Sequence, residues 1–258
     1  MDIKIKTALI SVSDKSGLDK VVQSLKDHNI KIVSTGGTAK SIAAMGVDVT
    51  DVSSLTNFPE MMDGRVKTLH PNVHGGLLSK RDDKNHVQSQ EEHGIEDIDL
   101  IIVNLYPFEE TIKSEKNEEI CIENIDIGGP AMLRSSAKNH ISVTVVVDSK
   151  DYQKVLNEIT DNGDTTLSTR QSLAIKTFEH TAQYDGAIAN YLGRKSDGFS
   201  NTINLQFVKS QTMRYGENPH QSAAFYKENN LFEASVSSST QLQGKPLSYN
   251  NLADADAA

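Results

Sequence analysis

Two short turns rich in hydroxyl groups and glycine each follow an apolar, strand-like segment and precede a helical one. They are Ser11-Val-Ser-Asp-Lys15-Ser-Gly17 and Ser34-Thr-Gly-Gly-Thr38. Backbone N–H groups at the start of a helix bind anions, and Lys15 adds a cation to the first turn. Either turn alone is explained equally well as an ordinary strand-to-helix connection. Two such turns at the carboxyl edge of one sheet favour a phosphate site there.

A segment with two cations and two histidines comes next in the chain. In Gly-Arg65-Val-Lys67-Thr, an extended backbone would direct Arg65 and Lys67 to the same side. Like charges on one face repel each other unless an anion lies between them, so this pair favours an anionic ligand. His70 and His74 have a spacing that could suggest zinc. Proline 71 and the glycine pair at 75–76 are expected to break the helix that would align them, so no metal site is predicted.

Two later segments place proton-carrying side chains beside predicted elements. Tyr106, in NLYPF, follows the most apolar run of the chain, although a structural role is the commoner explanation for one such tyrosine. Asp126, in IDIGGP, precedes a helix in which Pro130 suits the first turn. Arg134 and Lys138 lie four residues apart on one face of that helix. Taken alone, this pair is better explained as a solvated basic face.

The elements that must position these residues alternate between strand and helix over the first 150 residues. Strands are predicted at 7–12, 30–33, 47–52, 98–105 and 142–147, and helices at 18–25, with Ser13 or Asp14 as N-cap, and at 39–45. This alternation predicts an α/β fold with a parallel sheet flanked by helices. A long helical pattern at 168–192 follows. We therefore expect a first domain at 1–195, a linker at 196–206 and the opening of a second α/β domain at 207–258.

Composition excludes several classes of protein. Of the 258 residues, 37% are hydrophobic and 24% are charged, which is ordinary for a globular chain. No apolar run approaches the roughly 18 residues of a membrane-spanning helix, and the N-terminus does not read as a secretory signal. Cys121 is the single cysteine, which favours a reducing cytoplasm and leaves no disulfide pair. The net charge of −9 argues against non-specific binding to nucleic acid.

In combination these segments are more specific than any one of them. The motifs SVSDKSG, STGGTAK, FPEM, GRVKTLHP, NLYPF, IDIGGPAMLR, FEHTAQYD and RYGENPHQ occur in this order. With them the sequence resembles the bifunctional AICAR transformylase/IMP cyclohydrolase family of purine biosynthesis. The resemblance implies a methylglyoxal-synthase-like fold, a homodimer, and closure of formyl-AICAR (FAICAR) to IMP with loss of water. No cofactor is implied for this step.

The family's second activity uses 10-formyltetrahydrofolate. The Lys-His pair of that activity would lie beyond Ala258, so we expect formyl transfer to be incomplete in this chain.

The resemblance also implies the residues of the site. The two turns would hold the nucleotide phosphate, and three later segments would contact base and ribose. The expected substrate contacts are Ser13, Asp14, Lys15, Thr35, Gly36, Gly37, Thr38, Arg65, Val66, Lys67, Thr68, Val103, Asn104, Asp126 and Ile127. The expected catalytic residues are Lys67, Tyr106, Asp126 and Lys138, and in the second domain Arg214 and Tyr215 resemble residues that bind AICAR.

Two other functions use the same type of fold. One is an allosteric nucleotide sensor, with a phosphate pocket and no chemistry. The other is methylglyoxal synthase, a lyase that acts on dihydroxyacetone phosphate. The four expected catalytic residues favour the cyclohydrolase, because a sensor needs the phosphate turns but not four proton-handling groups.

Overall fold

The computed structural model of this protein describes residues 4–194, 200–228 and 233–258. The chain divides into two compact units, Met1–Ile188 and Ala189–Ala258. This division lies inside the long helix that the sequence predicts at 168–192. Of the predicted linker at 196–206, residues 196–199 lie outside the described part of the chain.

Five parallel strands form the centre of the first unit. In chain order they are β1 (Thr7–Val12), β2 (Lys31–Ser34), β3 (Thr50–Asp51), β4 (Leu100–Asn104) and β5 (Thr144–Val146). Across the sheet the order is β3-β2-β1-β4-β5, so the direction of winding reverses between β1 and β4. In register, Val12 at the end of β1 lies opposite Asn104 at the end of β4. The predicted parallel sheet is confirmed.

Helices cover this sheet and join its strands. Those of the first part of the chain are α1 (Leu18–Asp27), α2 (Gly36–Ala44), α3 (Val52–Thr56), α4 (Pro71–Leu78), α5 (Lys84–His93), α6 (Phe108–Ser114), α7 (Glu118–Glu123), α8 (Gly128–Lys138), α9 (Tyr152–Asn162) and α10 (Leu167–Gly193). The apolar face predicted for α1 is confirmed, because Leu18, Val21, Val22 and Leu25 are all buried in the main core. In the described part of the chain, no helix combines the length and apolar character that crossing a membrane requires.

Three local predictions were wrong: the N-cap of α1, the strand at 47–52 and the effect of the glycine pair at 75–76. Gly17, with a positive φ of 72°, is the N-cap of α1, and neither Ser13 nor Asp14 caps that helix. The strand predicted at 47–52 is reduced to β3, since Asp51 caps α3 through a bond from the Ser53 amide.

The glycine pair at 75–76 does not break α4, as the sequence had led us to expect. Instead, Gly76 lets this helix approach the chain leading into β4. A Cβ at Gly76 would lie 2.4 Å from the carbonyl oxygen of Glu96 and 3.2 Å from the Ile98 side chain. The glycine is therefore a close-packing site and not a helix terminator.

The second unit contains an antiparallel strand pair and a helix. Strands β6 (Val208–Thr212) and β7 (Ala224–Lys227) pair with a shift in register between Lys209 and Gln211. Helix α11 (Tyr249–Ala257) begins with a capping box formed by Ser248 and Asn251. Among the described residues of this unit, Tyr191 and Met213 are the buried hydrophobic ones, so its own apolar core is small.

The packing of Gly76 predicts a measurable loss of stability on substitution. Gly76→Ala should lower the free energy of unfolding by about 1–3 kcal/mol, because the added methyl meets backbone that cannot move aside cheaply. Gly37→Ala is the matched control, since a Cβ at this helical glycine meets nothing within 4 Å. It should leave stability unchanged or raise it by up to about 1 kcal/mol. Urea unfolding of both variants tests this, and equal midpoints would contradict it.

Candidate active site

A cavity of about 850 Å³ lies at the carboxyl ends of β1, β2 and β4. This is the edge of the sheet where the winding reverses, which is where open α/β sheets bind ligands. The cavity brings together most of the expected contacts: Ser13, Lys15, Thr35, Gly37, Thr38, Arg65, Lys67, Thr68, Asn104, Tyr106, Asp126 and Ile127. The remaining expected contacts, Asp14, Gly36, Val66 and Val103, are sequence neighbours of lining residues and are not themselves among the lining residues.

The turn at Ser13–Lys15, the first of the two expected to bind phosphate, is held in place by the side chain of Asn104. Its Oδ1 accepts the N–H groups of Ser13 at 2.6 Å and of Asp14 at 3.1 Å, and its Nδ2 donates to the Asp14 carbonyl at 2.9 Å. Hydrogen bonds from the hydroxyl and amide of Ser16 hold the pKa of Asp14 below its ordinary value. Asn104 therefore organises the turn, and Lys15 extends into the cavity from it.

The second turn expected to bind phosphate, Thr35–Thr38, forms the start of α2. No side chain caps this helix, so its first amides, those of Gly36 and Gly37, are available to an anion. The hydroxyl of Thr38 is occupied differently: it donates to the Val12 carbonyl at 3.0 Å and accepts the Val12 amide at 3.1 Å. Thr38 thus fastens the turn to β1, while the glycine amides are the groups that a phosphate can contact.

Lys67 enters the cavity as part of an ion pair that is mostly buried at the lysine and half exposed at the glutamate. Its Nζ lies 2.8 Å from the Glu60 carboxylate, and 17% of the Lys67 side chain is exposed. Both ends of this pair lie against glycine. A Cβ at Gly36 would come 2.7 Å from Lys67 Nζ, and one at Gly64 would come 2.7 Å from Glu60 Oε1. The TGGT turn therefore contributes space for an ammonium group as well as amides for an anion.

Arg65 faces the same cavity and is paired across it. Its guanidinium makes two bonds to the carboxylate of Glu123, at the end of α7. Both side chains are mostly exposed, so this pair contributes little to stability and opens at little cost. Arg65 and Lys67 line one cavity, as the sequence predicts, but Arg65 has a helical backbone conformation and not the extended one on which the prediction was based. Each cation has its own carboxylate there.

Asp126 lies half-buried before α8, close to Tyr106. Its Oδ1 accepts the Gly129 amide at 2.8 Å. Burial raises the pKa of this carboxyl above its ordinary value, against the lowering effect of hydrogen bonds from the amides of Gly129 and Tyr106. A Cβ at Gly129 would lie 2.5 Å from the carboxylate, so only glycine permits this arrangement.

The side chain of Tyr106 is 51% exposed and lines the cavity. It is therefore available to a ligand, and the alternative of a buried structural tyrosine is not supported. The Tyr106 backbone N–H lies close enough to Asp126 to lower the pKa of its carboxyl, and both residues line the same cavity.

Lys138 is not among the residues that line this cavity. It is at the opposite end of α8 from Asp126, where it lines a second cavity with Arg134, His140 and Phe178. An α-helix rises about 1.5 Å per residue, so the length of α8 separates Lys138 from the first cavity. The structure does not bring this residue together with Lys67, Tyr106 and Asp126.

Arg214 and Tyr215 lie in the second unit and contact each other. The Arg214 guanidinium is 4.8 Å from the centre of the Tyr215 ring and donates to its hydroxyl at 3.2 Å. The amide of Arg214 bonds to Leu247, which fixes the segment beside the start of α11.

Within the described residues there is no group of three or more His, Cys, Asp or Glu side chains that could hold a metal ion. The two histidines with zinc-like spacing have separate partners. His70 Nδ1 accepts the Asn72 amide, and His74 Nδ1 lies 2.9 Å from the Ser135 hydroxyl.

Sequence reasoning missed the two carboxylates that pair with the site's cations. Glu60 belongs to the FPEM motif, whose position before GRVK was the available signal. Glu123 lies in an acidic helix with no motif of its own, and only its packing places it opposite Arg65.

Comparison with known proteins bears on the family and the fold of the chain. A family model for the MGS-like domain matches residues 17–131, and one for the AICARFT/IMPCHase bienzyme matches residues 136–258. A crystal structure of ForH is 30% identical in sequence with a TM-score of 0.65, over 74% of this chain and 98% of the ForH chain. The chain belongs to the AICARFT/IMPCHase bienzyme family.

Family membership confirms the resemblance noted from the motifs. As an AICARFT/IMPCHase bienzyme family member, the protein is an enzyme of purine biosynthesis. Its five-stranded parallel sheet is that of the MGS-like domain, so the predicted fold class is also confirmed.

The raised pKa of Asp126 predicts how stability depends on pH in this family member. Because the folded protein binds this proton more tightly than the unfolded chain, the free energy of unfolding falls as pH rises from about 3.8 through the raised pKa. Asp126→Asn removes the buried charge and keeps an oxygen for the Gly129 amide. It should therefore have a higher Tm than the wild type at pH 7 and a smaller advantage at pH 4. Thermal unfolding at both values tests this, and a lower Tm at pH 7 would contradict it.

Proposed function

We propose that this protein is an IMP cyclohydrolase, which closes FAICAR to IMP with loss of water. The observation that supports the proposal best is the single cavity in which two anion-binding turns adjoin Lys67, Tyr106 and Asp126. Its volume is in the range of small-molecule sites and suits a nucleotide. We extend the proposal to a cytoplasmic homodimer that acts without a cofactor, a membrane or a nucleic-acid partner.

In the proposed complex the nucleotide phosphate binds where β1 and β2 end. The amides of Gly36 and Gly37 and the ammonium of Lys15 supply hydrogen bonds and positive charge. Arg65 can leave Glu123 for the ligand at little cost, since that ion pair is exposed. The imidazole ring then extends toward Tyr106 and Asp126.

Ring closure joins two groups that are already on one imidazole. The carboxamide nitrogen attacks the formamide carbon, and the resulting carbinolamine loses its hydroxyl as water. Holding the reactive rotamer supplies much of the rate, because the step is intramolecular. In the proposed mechanism Lys67 stabilises negative charge on oxygen, Asp126 accepts the nitrogen's proton and Tyr106 gives a proton to the departing hydroxyl.

The role of Lys138 remains a prediction from the resemblance. Since this lysine lies at the second cavity, we propose that Lys67, Tyr106 and Asp126 are the reacting groups that one copy of the chain supplies by itself. For the whole protein we propose a second activity, formyl transfer from 10-formyltetrahydrofolate to AICAR, with Arg214 and Tyr215 as contacts to AICAR.

Turnover of FAICAR by the purified chain tests the proposal, with Lys67→Ala as the informative variant. The wild type should form IMP, and Lys67→Ala should lower kcat by about 10² or more, the scale of losing one preorganised charged donor. Lys20→Ala, on the exposed face of α1, is the matched control and should keep the wild-type rate.

Three results would contradict the proposal, two of them on the function and one on the catalytic set. Binding of IMP without any turnover of FAICAR would favour the sensor, and conversion of dihydroxyacetone phosphate would favour the methylglyoxal synthase. A loss of kcat in Lys138→Ala comparable with that in Lys67→Ala would show that one copy does not supply the whole catalytic set.

The two phosphate turns should respond differently to substitution. Lys15→Ala removes a charge that faces the cavity, so it should weaken IMP binding about tenfold or more and leave inosine binding almost unchanged. Thr38→Ala removes the bonds to Val12, so it should weaken both ligands and also lower the free energy of unfolding. Calorimetric titration of both ligands measures these effects. If Lys15→Ala lost the same affinity for IMP as for inosine, the phosphate would not bind at the first turn.

A further inference from the structure

Tyr184 of α10, in the FEHTAQYD motif, reaches the turn that carries Asp126. Its hydroxyl accepts the backbone N–H of Asp126 at 2.7 Å and donates to the carbonyl of Asn124 at 3.4 Å. The side chain is buried, at 6% exposure. One hydroxyl thus satisfies two backbone groups of the same turn.

The ring of Tyr184 also contacts the segment that carries Tyr106. It meets Phe108 edge to face, with ring centres 6.2 Å apart and an interplanar angle of 68°. Phe108 is buried, and its amide donates to the Tyr106 carbonyl at 2.8 Å. The neighbouring Gln183 reinforces this contact through a 2.9 Å bond to Glu109.

We propose that Tyr184 is a positioning residue, which sets the place of the Asp126 carboxylate relative to Tyr106 in the cavity. The proposal rests on the proposed cyclohydrolase function, in which these two groups exchange protons with the substrate. Tyr184 does not line the cavity and therefore acts only through the residues it holds.

The chemistry of the hydroxyl suits this role. Burial raises the pKa of Tyr184 to about 12, so the hydroxyl stays protonated and keeps both of its bonds at physiological pH. Phenylalanine would preserve the ring contact with Phe108 and leave the Asp126 amide without its acceptor. The turn would then shift to satisfy that amide, and catalytic groups tolerate displacements of only about 0.5 Å.

The test is Tyr184→Phe, with Thr177→Val as the matched control. Thr177 is a fully buried hydroxyl on the same helix, but its bond runs within α10, to Leu173 at 2.8 Å. In Tyr184→Phe, kcat for FAICAR closure should fall about tenfold or more, while KM and the affinity for IMP stay within about twofold. Thr177→Val should leave kcat unchanged. Equal kcat values for the two variants, or a parallel loss of IMP affinity in Tyr184→Phe, would overturn the proposal.

Hydrogen exchange of the Asp126 amide provides a readout independent of activity. This amide should be protected in the wild type and in Thr177→Val, and exchange at least tenfold faster in Tyr184→Phe. An Asp126 amide that exchanges freely in the wild type, or equally in all three proteins, would overturn the positioning role. If the wild type does not close FAICAR, the proposed function fails, and the exchange result still decides whether Tyr184 holds the turn.

Discussion

Three hydrogen bonds from one amide side chain join the ends of the two central strands. Asn104 ends β4 directly opposite Val12 at the end of β1, so its Oδ1 meets the amides of Ser13 and Asp14 as soon as the chain leaves the sheet. Without this acceptor, the backbone N–H groups of Ser13 and Asp14 would lose their side-chain partner, and the turn would no longer be fixed in this conformation. The position of Lys15 in the cavity depends on that shape. The cavity lies where the winding of the sheet reverses between β1 and β4, and Asn104 fixes the turn that carries Lys15 along one side of it.

The charges of the site are balanced before any ligand binds. Glu60 pairs with Lys67, of which only the lysine is mostly buried, and Glu123 pairs with Arg65, where both side chains are mostly exposed. Water screens an exposed pair more strongly than a partly buried one, so the Arg65 pair is the easier of the two to separate. The carboxylate of Glu123 can therefore be replaced at Arg65 by another anion at little cost. Gly36 leaves room for the Lys67 ammonium, and Gly64 leaves room for its partner Glu60.

The carboxyl of Asp126 is held at a cost to stability. Burial disfavours its charged form, and the two backbone amides that bond to it recover only part of that cost. Two neighbours keep the carboxyl in place: Gly129 leaves space for it, and the Tyr184 hydroxyl accepts the backbone N–H of Asp126. A group whose pKa is raised toward neutrality is better suited to accept and return a proton than an ordinary aspartate.

Local pattern was enough to predict the alternation of β1, α1, β2 and α2, because the apolar periods of 2 and 3.6 residues record which face of each element is buried. It was also enough to predict that both glycine turns lie at one edge of the sheet, since parallel strands end at a common edge. The place of Asp126 in the same site was implied only by the resemblance to a known family. The sequence could not reveal that Glu123 faces Arg65, that Lys138 lies beyond the first cavity, or that Tyr184 holds Asp126. The contacts of Glu123 with Arg65 and of Tyr184 with Asp126 each join residues 58 positions apart in the sequence. Such pairs are decided by how helices pack on the sheet, and only the tertiary structure sets that packing.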